Sequence, residues 1–280
     1  MRQMSDGERR DAAAGAEANR VTGAIEAVRD RRGGRRLLLL SDFDGTLCEF
    51  QPTPETVCLE PARRALVGAL ARRSGVTVGL VSGRRLDDLR RRAEIDGPVY
   101  YAGLHGLEIV GPGGAAFLHE RVAETRGLLQ VLARALAAHV AALDGVWLEN
   151  KDLSLAVHTR QASTGDRDAA RRLVERVVGP HLDRSTFRLL PGSSVIEIMP
   201  NIAWTKGDAV RWIQADVERR LGPCWPVYLG DDRTDEDAFR AVGRDGLTIV
   251  VGERASEAEL RLPGPAAVEA WLRGLSSLDL

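Results

Sequence analysis

Leu37 to Leu40 form an uninterrupted aliphatic run that ends in Ser41-Asp42-Phe43-Asp44-Gly45-Thr46. An apolar stretch of this length, closed by polar and turn residues, predicts a strand buried on both faces of a parallel sheet. Helical spacing follows from Pro61 to Arg73, then an apolar strand Val76 to Val81, a Ser82-Gly83-Arg84 turn, a helix through Leu86 to Arg92 and a strand Val99 to Ala102. This β-α-β-α-β rhythm predicts a doubly wound, mostly parallel α/β sheet. Before it, Val21, Ile25 and Val28 share one helical face, so residues 1–35 read as a frayed tail followed by one amphipathic helix.

The rhythm changes after Gly106. Glu108 to Val110 and Ala116 to Leu118, split by Gly111-Pro112-Gly113-Gly114, predict a hairpin, and a long helix is expected from Val122 to Leu143. Val146 to Glu149 pairs with Leu153 to Thr159, and Phe187 to Leu190 pairs with Val195 to Met199 across Pro191-Gly192-Ser193, with a helix Asp166 to Val178 between them. The alternation of Leu153, Leu155 and Val157 with Ser154, Ala156 and His158 predicts a sheet with one open face. Beyond Pro200 the first pattern returns in helix Lys206 to Arg219, strand Val227 to Gly230, helix Asp235 to Val242, strand Leu247 to Val251 and helix Ala266 to Leu275. The expected organisation is an α/β core over 36–118 and 200–280, interrupted by an α+β cap over 119–199.

Composition narrows the function classes. At 280 residues and 44% hydrophobic the chain can bury a large core, and a formal net charge of −1 gives no basic footprint for nucleic acid. Cys48, Cys58 and Cys224 are scattered, without CxxC spacing, which fits a reducing compartment better than a disulfide framework. The longest aliphatic run is too short to span a bilayer and Met1 to Arg20 lacks a signal-peptide core, so a cytoplasmic protein is expected. Only Lys151 and Lys206 of the 39 basic residues are lysine. Arginine fills nearly every generic cation position, which marks those two lysines for attention.

Candidate chemistry gathers at the strand ends, where open α/β sheets put their ligands. Asp42 and Asp44 follow the first strand, and Asp231, Asp232 and Asp235 follow Val227 to Gly230. Carboxylates converging in one crevice repel one another unless a hard cation sits among them, and Mg2+ suits such a set; the alternative is that these aspartates only cap the helices that follow. A carboxylate can attack phosphorus to give an acyl phosphate, which assigns Asp42 as nucleophile and Asp44 as acid and base. Ser82 and Lys206 supply the hydroxyl and cation that hold phosphoryl oxygens. Ser82 could equally cap a helix, and Lys206 could lie solvated on a first turn, although a cation there opposes the helix dipole.

Asp42-Phe43-Asp44-Gly45-Thr46-Leu47, Ser82-Gly83-Arg84, Lys206-Gly207 and Gly230-Asp231-Asp232-Arg233-Thr234-Asp235-Glu236-Asp237 resemble, in order, the four motifs of the haloacid dehalogenase (HAD) superfamily, over about residues 36 to 275. Gly103-Leu104-His105-Gly106-Leu107-Glu108, Glu149-Asn150-Lys151-Asp152-Leu153-Ser154 with His158 and Arg160, and Val195-Ile196-Glu197 are similar to trehalose-6-phosphate phosphatases within it. The resemblance implies a HAD-like Rossmannoid core, a phosphorylated Asp42, and magnesium held by Asp42, Asp231 and the Asp44 carbonyl, with Asp232 and Asp235 in the same acidic set. It implies substrate contacts from Gly83, Arg84 and His105, and sugar contacts from Glu149, Lys151, Ser154, His158, Arg160 and Glu197. For His158 a plain strand role stands beside the sugar contact, and His105 could simply satisfy its turn.

The expected reaction is hydrolysis of trehalose 6-phosphate to trehalose and phosphate, the last step of trehalose synthesis, by a monomer that binds a small sugar phosphate and neither nucleic acid nor membrane. Association with a trehalose-6-phosphate synthase stays open. Rival readings are another capped sugar phosphatase acting on a glucosylglycerol or mannose phosphate, a phosphomutase, and an idle phosphosugar-binding regulatory module.

Overall fold

Why the Leu37–Leu40 run is apolar without a break is visible in where its side chains go. The computed structural model describes residues 6–51, 53, 56–182, 184–192 and 194–280. Residues 1–5 of the expected tail and Ser193 of the expected turn lie outside them. β1 (Arg36–Ser41) sends Leu37 and Leu39 into one apolar cluster and Leu38 and Leu40 into another on the opposite face. It pairs in parallel with β2 (Val76–Val81) on one side and β10 (Cys224–Gly230) on the other. β3 (Val99–Gly103) extends the β2 side, and β11 (Leu247–Val251) and β12 (Leu260–Leu262) extend the β10 side, all in parallel. β4 (Glu108–Val110), antiparallel to β3, and β5 (Ala116–Leu118) complete the order β12-β11-β10-β1-β2-β3-β4-β5. The chain winds outward from β1 in both directions, so β1 with its neighbours is the topological switch point.

The first face is covered by α2 (Pro61–Ala71), α3 (Leu86–Ala93) and α8 (Pro265–Ser276), through Val67, Leu70, Leu86, Leu89, Trp271 and Leu272. The second is covered by α6 (Lys206–Leu221) and α7 (Asp235–Val242), through Val210, Ile213, Val217, Ala238 and Phe239. α1 (Asp6–Arg31) joins the first face. It starts at Asp6, inside the expected frayed tail, because Ala-rich residues 11–18 are strong helix formers. Ala24 and Val28 are buried, and a side-chain carbon on Gly274 of α8 would lie 2.2 Å from Ile25.

Two compact units result, residues 1–117 with 204–280, and residues 118–203. The second holds α4 (Arg121–Val140) and α5 (Thr164–Leu182) with β6 (Trp147–Asn150), β7 (Leu155–His158), β8 (Phe187–Pro191) and β9 (Val195–Pro200) in an antiparallel sheet of order β6-β7-β9-β8. Leu155, Val157 and Ile198 pack with Leu132, Leu136, Leu173 and Val178 on one sheet face. The other face is polar but less open than its alternation suggests. Ser154 and Ala156 are wholly buried, Ala156 lying in register between Glu149 and Glu197. Among the described residues no helix is long and apolar enough to cross a membrane.

β10 begins three residues before its expected start, because Pro226 does not break it. Leu38 pairs with Pro226, but β11 joins β10 only from Val227 onward, so Pro226 lies where β10 has a single neighbour and its missing N–H is tolerated. β12, three residues long and on the sheet edge, carries too short a pattern to be read from sequence.

Candidate active site

Adjacent strands deliver the acidic clusters to one place. Asp42 leaves β1 with its amide still bonded to Leu229 O (2.8 Å), and Asp231 leaves β10 beside it. The turn after Asp44 needs glycine: Gly45 has φ +81°, and a Cβ there would lie 2.3 Å from Asp231 Oδ2. No helix follows directly, α2 starting only at Pro61, so Asp42 and Asp44 are not helix caps. Nor is Asp235, which is the first residue of α7 behind the N-cap Thr234.

Carboxylate oxygens of Asp42, Asp231 and Asp235 lie within 4.8 Å of one another. Lys206 sits among them, buried, with Nζ 3.0 Å from Asp42 Oδ1 and 2.8 Å from Asp235 Oδ1. It reaches this point from the first turn of α6, fixed by a capping box in which Gly207 N–H donates to Thr205 Oγ1 (3.2 Å) and Thr205 N–H to Asp208 Oδ2 (2.9 Å). The solvated alternative for Lys206 is thereby removed. Tyr228 donates to Asp235 Oδ1 (2.8 Å) and the Asp232 amide to Asp235 Oδ2 (2.9 Å), so both oxygens of this fully buried carboxylate are engaged within the protein. Thr46 Oγ1 donates to Asp231 Oδ1 (3.0 Å). Asp232 itself is exposed and does not bring its carboxylate into the cluster.

Three carboxylates face one ammonium in a buried space, which leaves uncompensated negative charge. Burial pushes the Asp42 carboxyl well above the ordinary range; Lys206 pulls it back while Asp235, Asp231 and Asp44 push it further up. Asp231 is raised to about 6 by burial and by Asp235, against the Thr46 hydrogen bond. Burial works to strip the Lys206 proton, but Asp235 and Asp42 outweigh it and hold the ammonium above its usual range. A divalent cation fits this donor set: it would supply the missing positive charge to hard oxygen ligands.

Asp44 is held apart from this cluster. Arg84 grips it bidentately, Nε to Oδ2 at 2.7 Å and Nη2 to Oδ1 at 2.5 Å, while its other nitrogen bonds Asp88 Oδ2 at 3.0 Å. The expected substrate contact Arg84 is thus placed on the expected acid and base. Ser82, buried at the end of β2, accepts from the Arg84 amide (3.1 Å); α3 has Arg85 as its N-cap, so Ser82 orders the turn rather than capping the helix. His105 belongs to this same corner. Its amide donates to Ser82 O (2.9 Å), and a Cβ on Gly83 would lie 3.0 Å from its ring. Leu104 and His105 are both left-handed (φ 51° and 59°), which for non-glycine residues costs on the order of 1–3 kcal/mol each. Gly106 cannot carry a side chain at all, since its Cβ would meet that of Ala209 at 2.3 Å.

The cap cluster is coherent within its own unit. Glu197 Oε1 accepts from Lys151 Nζ (3.0 Å) and Ser154 Oγ (2.8 Å), and Glu149 Oε2 bonds His158 Nε2 (2.9 Å). The His158 ring stacks on Trp147 at 4.4 Å and 6°. Burial of Glu149 is outweighed by His158 and Lys151, which hold its carboxyl below the usual range. Arg160 lies exposed in the turn after β7.

Sequence reasoning missed Thr46, Tyr228 and Arg254. Arg254 Nε and Nη2 donate to the carbonyls of Asp231 (2.5 Å) and Asp232 (2.6 Å), clamping the acidic loop from 23 and 22 residues downstream. Thr46 lies inside the first motif and Tyr228 inside the expected strand Val227 to Gly230, but nothing in their spacing says which carboxylate each serves.

The family model for trehalose-phosphatase matches residues 40–265. A trehalose-phosphate phosphatase of Mycobacterium marinum is 36% identical over 242 residues, covering 84% of this chain and 60% of its own length. The chain therefore spans about 60% of the length of that relative. The C-terminal domain of the Candida albicans trehalose-6-phosphate phosphatase superposes with a TM-score of 0.76 at 18% identity, over 92% of this chain and 97% of that one. A haloalkanoate (HAD) superfamily phosphatase from Bacteroides thetaiotaomicron gives 0.55 at 15% identity, over 85% and 94%. These two likenesses bear on the fold, a HAD-type core with a cap.

Proposed function

The chain belongs to the trehalose-phosphatase family, and from that premise we propose that it hydrolyses a sugar phosphate monoester, trehalose 6-phosphate foremost, by covalent transfer of the phosphoryl group to Asp42. The observation that carries this reading is the buried Asp42–Lys206–Asp235 array beside Asp231. In it one carboxylate oxygen is fixed by an ammonium, next to the acidic group on the neighbouring strand.

Asp42 attacks phosphorus, forming a P–O bond to its carboxylate as the bond to the sugar oxygen breaks; Asp44 gives that oxygen its proton. Asp44 then takes a proton from the water that attacks the acyl phosphate and releases phosphate. Because Arg84 occupies both Asp44 oxygens, these proton transfers require Asp44 to exchange that grip for the leaving-group oxygen. Ser82 and Lys206 donate to the phosphoryl oxygens, where charge shifts during transfer. Magnesium, held by the carboxylates of Asp42 and Asp231 and the Asp44 carbonyl, would neutralise phosphoryl charge and orient the group for in-line attack. Asp235 we assign to bracing Lys206, since its oxygens are already engaged. Glu149, Lys151, Ser154, His158 and Glu197 we assign to sugar recognition.

The test is phosphate release by the purified protein with magnesium, comparing trehalose 6-phosphate with glucose 6-phosphate, mannose 6-phosphate and glucosylglycerol phosphate, each with a chelator control. Preference for trehalose 6-phosphate that a chelator abolishes supports the whole proposal. Chelator-sensitive activity on another sugar keeps the chemistry and discards the sugar assignment, and inactivity on all four sinks both.

A further inference from the structure

We propose that Arg254 is a positioning residue for the metal site: its guanidinium fork holds the Asp231–Asp232 peptide where the Asp231 carboxylate can receive a divalent cation. This rests on the magnesium role assigned above to Asp231. Arg254 Nε donates to Asp231 O (2.5 Å) and Nη2 to Asp232 O (2.6 Å). A grip on one carbonyl would leave the peptide free to swing, whereas a planar fork on two successive carbonyls fixes its orientation and with it the direction of the Asp231 side chain. The bonds within the loop, Asp235 N–H to Asp232 O (3.1 Å) and Asp232 N–H to Asp235 Oδ2 (2.9 Å), tie Asp232 to the start of α7. Arg254 extends that hold to the backbone of Asp231.

Arg254 is itself held in a frame. It stands in the turn between β11 and β12, which leaves the sheet at the left-handed Gly252 (φ +92°). Arg261 of β12 donates from Nη2 to Arg254 O (2.8 Å). Glu236, in the first turn of α7, pairs with Arg254 Nη1 and also accepts from Ser256 Oγ (2.8 Å) and the Glu257 amide (3.0 Å). The helix that follows the acidic loop thus holds the turn whose arginine holds the loop. Charge gives this frame its purpose. Oxygens of Asp42, Asp231 and Asp235 lie within 4.8 Å of one another, set against the ammonium of Lys206. Their mutual repulsion presses outward on Asp231, the least buried of the three. Magnesium demands near-ideal octahedral geometry, so a loop already held against that repulsion binds it more tightly than one the ion must first draw in.

Titration calorimetry of the whole, metal-free chain with magnesium, in the absence of substrate, reads the effect directly. Arg254→Ala should bind magnesium about 10-fold to 100-fold more weakly. Phosphate release should need correspondingly more magnesium yet recover the parent turnover at saturation, a split that a general loss of structure would not give. Arg254→Lys keeps the charge without the fork; its affinity should lie between the two, and it carries the test if Arg254→Ala does not fold. Arg240→Ala removes a nearby arginine that grips the side chains of Asp237 and Glu257, and should bind magnesium as the parent does. The proposal is overturned if Arg254→Ala or Arg254→Lys binds magnesium like the parent, or if Arg240→Ala weakens binding as much as Arg254→Ala. A parent protein that binds no magnesium would overturn the metal reading itself, and this inference with it.

Discussion

Replacing Lys206 with methionine removes the one cation inside the acidic cluster while keeping most of the side-chain volume. Lys206 Nζ lies 3.0 Å from Asp42 and 2.8 Å from Asp235, and all three groups are buried. At an effective dielectric of 20, each such contact represents about 5 kcal/mol of attraction before desolvation is counted. Removing one partner of a buried ion pair leaves its fellow charge stranded, at a cost of about 3–5 kcal/mol. Urea denaturation of Lys206→Met in chelator at pH 7 should show a loss of that size. The loss should shrink on acidification. Without the ammonium the carboxylates titrate higher, and a folded pKa raised above the unfolded one contributes stability below the unfolded pKa that is lost as pH rises. Turnover should fall about 100-fold to 1000-fold, as when a fixed donor to a developing charge is removed. A variant within about 1 kcal/mol of the parent at every pH would refute the shared buried charge.

Asp231, at about 6 in the metal-free protein, must lose its proton to bind a cation. Magnesium affinity measured by titration calorimetry should therefore rise with pH, by at least about tenfold per pH unit below 6. The metal-free protein should correspondingly lose stability as pH climbs from about 4, the unfolded value, through 6, the folded one. Gly45→Ala, whose Cβ would meet Asp231 at 2.3 Å in a left-handed backbone, should cost at least ~1 kcal/mol and most of the turnover while the far-UV circular dichroism stays native. Glu197→Gln weakens the hold on Lys151 and Ser154; it should raise KM for a disaccharide phosphate by about tenfold, one charged hydrogen bond, and leave hydrolysis of a small aryl phosphate unchanged.

Much of this architecture could be read from residues alone because it follows from periodicity. A strand with both faces buried has no polar position to spare, and Leu37–Leu40 and Val76–Val81 show it. The carboxyl ends of those two strands and of Val227–Gly230 locate Asp42, Ser82 and Asp231. What stayed hidden depends on long-range pairing. Nothing near Arg84 in sequence says that its guanidinium reaches Asp44, 40 residues earlier, and nothing near Arg254 points to the carbonyls of Asp231 and Asp232. Cap residues Glu149, Lys151 and Glu197 were singled out by resemblance; that Glu149 serves His158 while Lys151 serves Glu197 emerges only from the sheet register.

The central claim is covalent chemistry at Asp42, and trapping tests it most directly. Protein mixed with magnesium and sugar phosphate, quenched in acid during turnover and reduced with borohydride, converts an acyl phosphate into an alcohol at the residue that carried it. The account predicts homoserine at position 42 and at no other aspartate, absent from Asp42→Asn. Homoserine elsewhere, or steady phosphate release from Asp42→Asn, would contradict it.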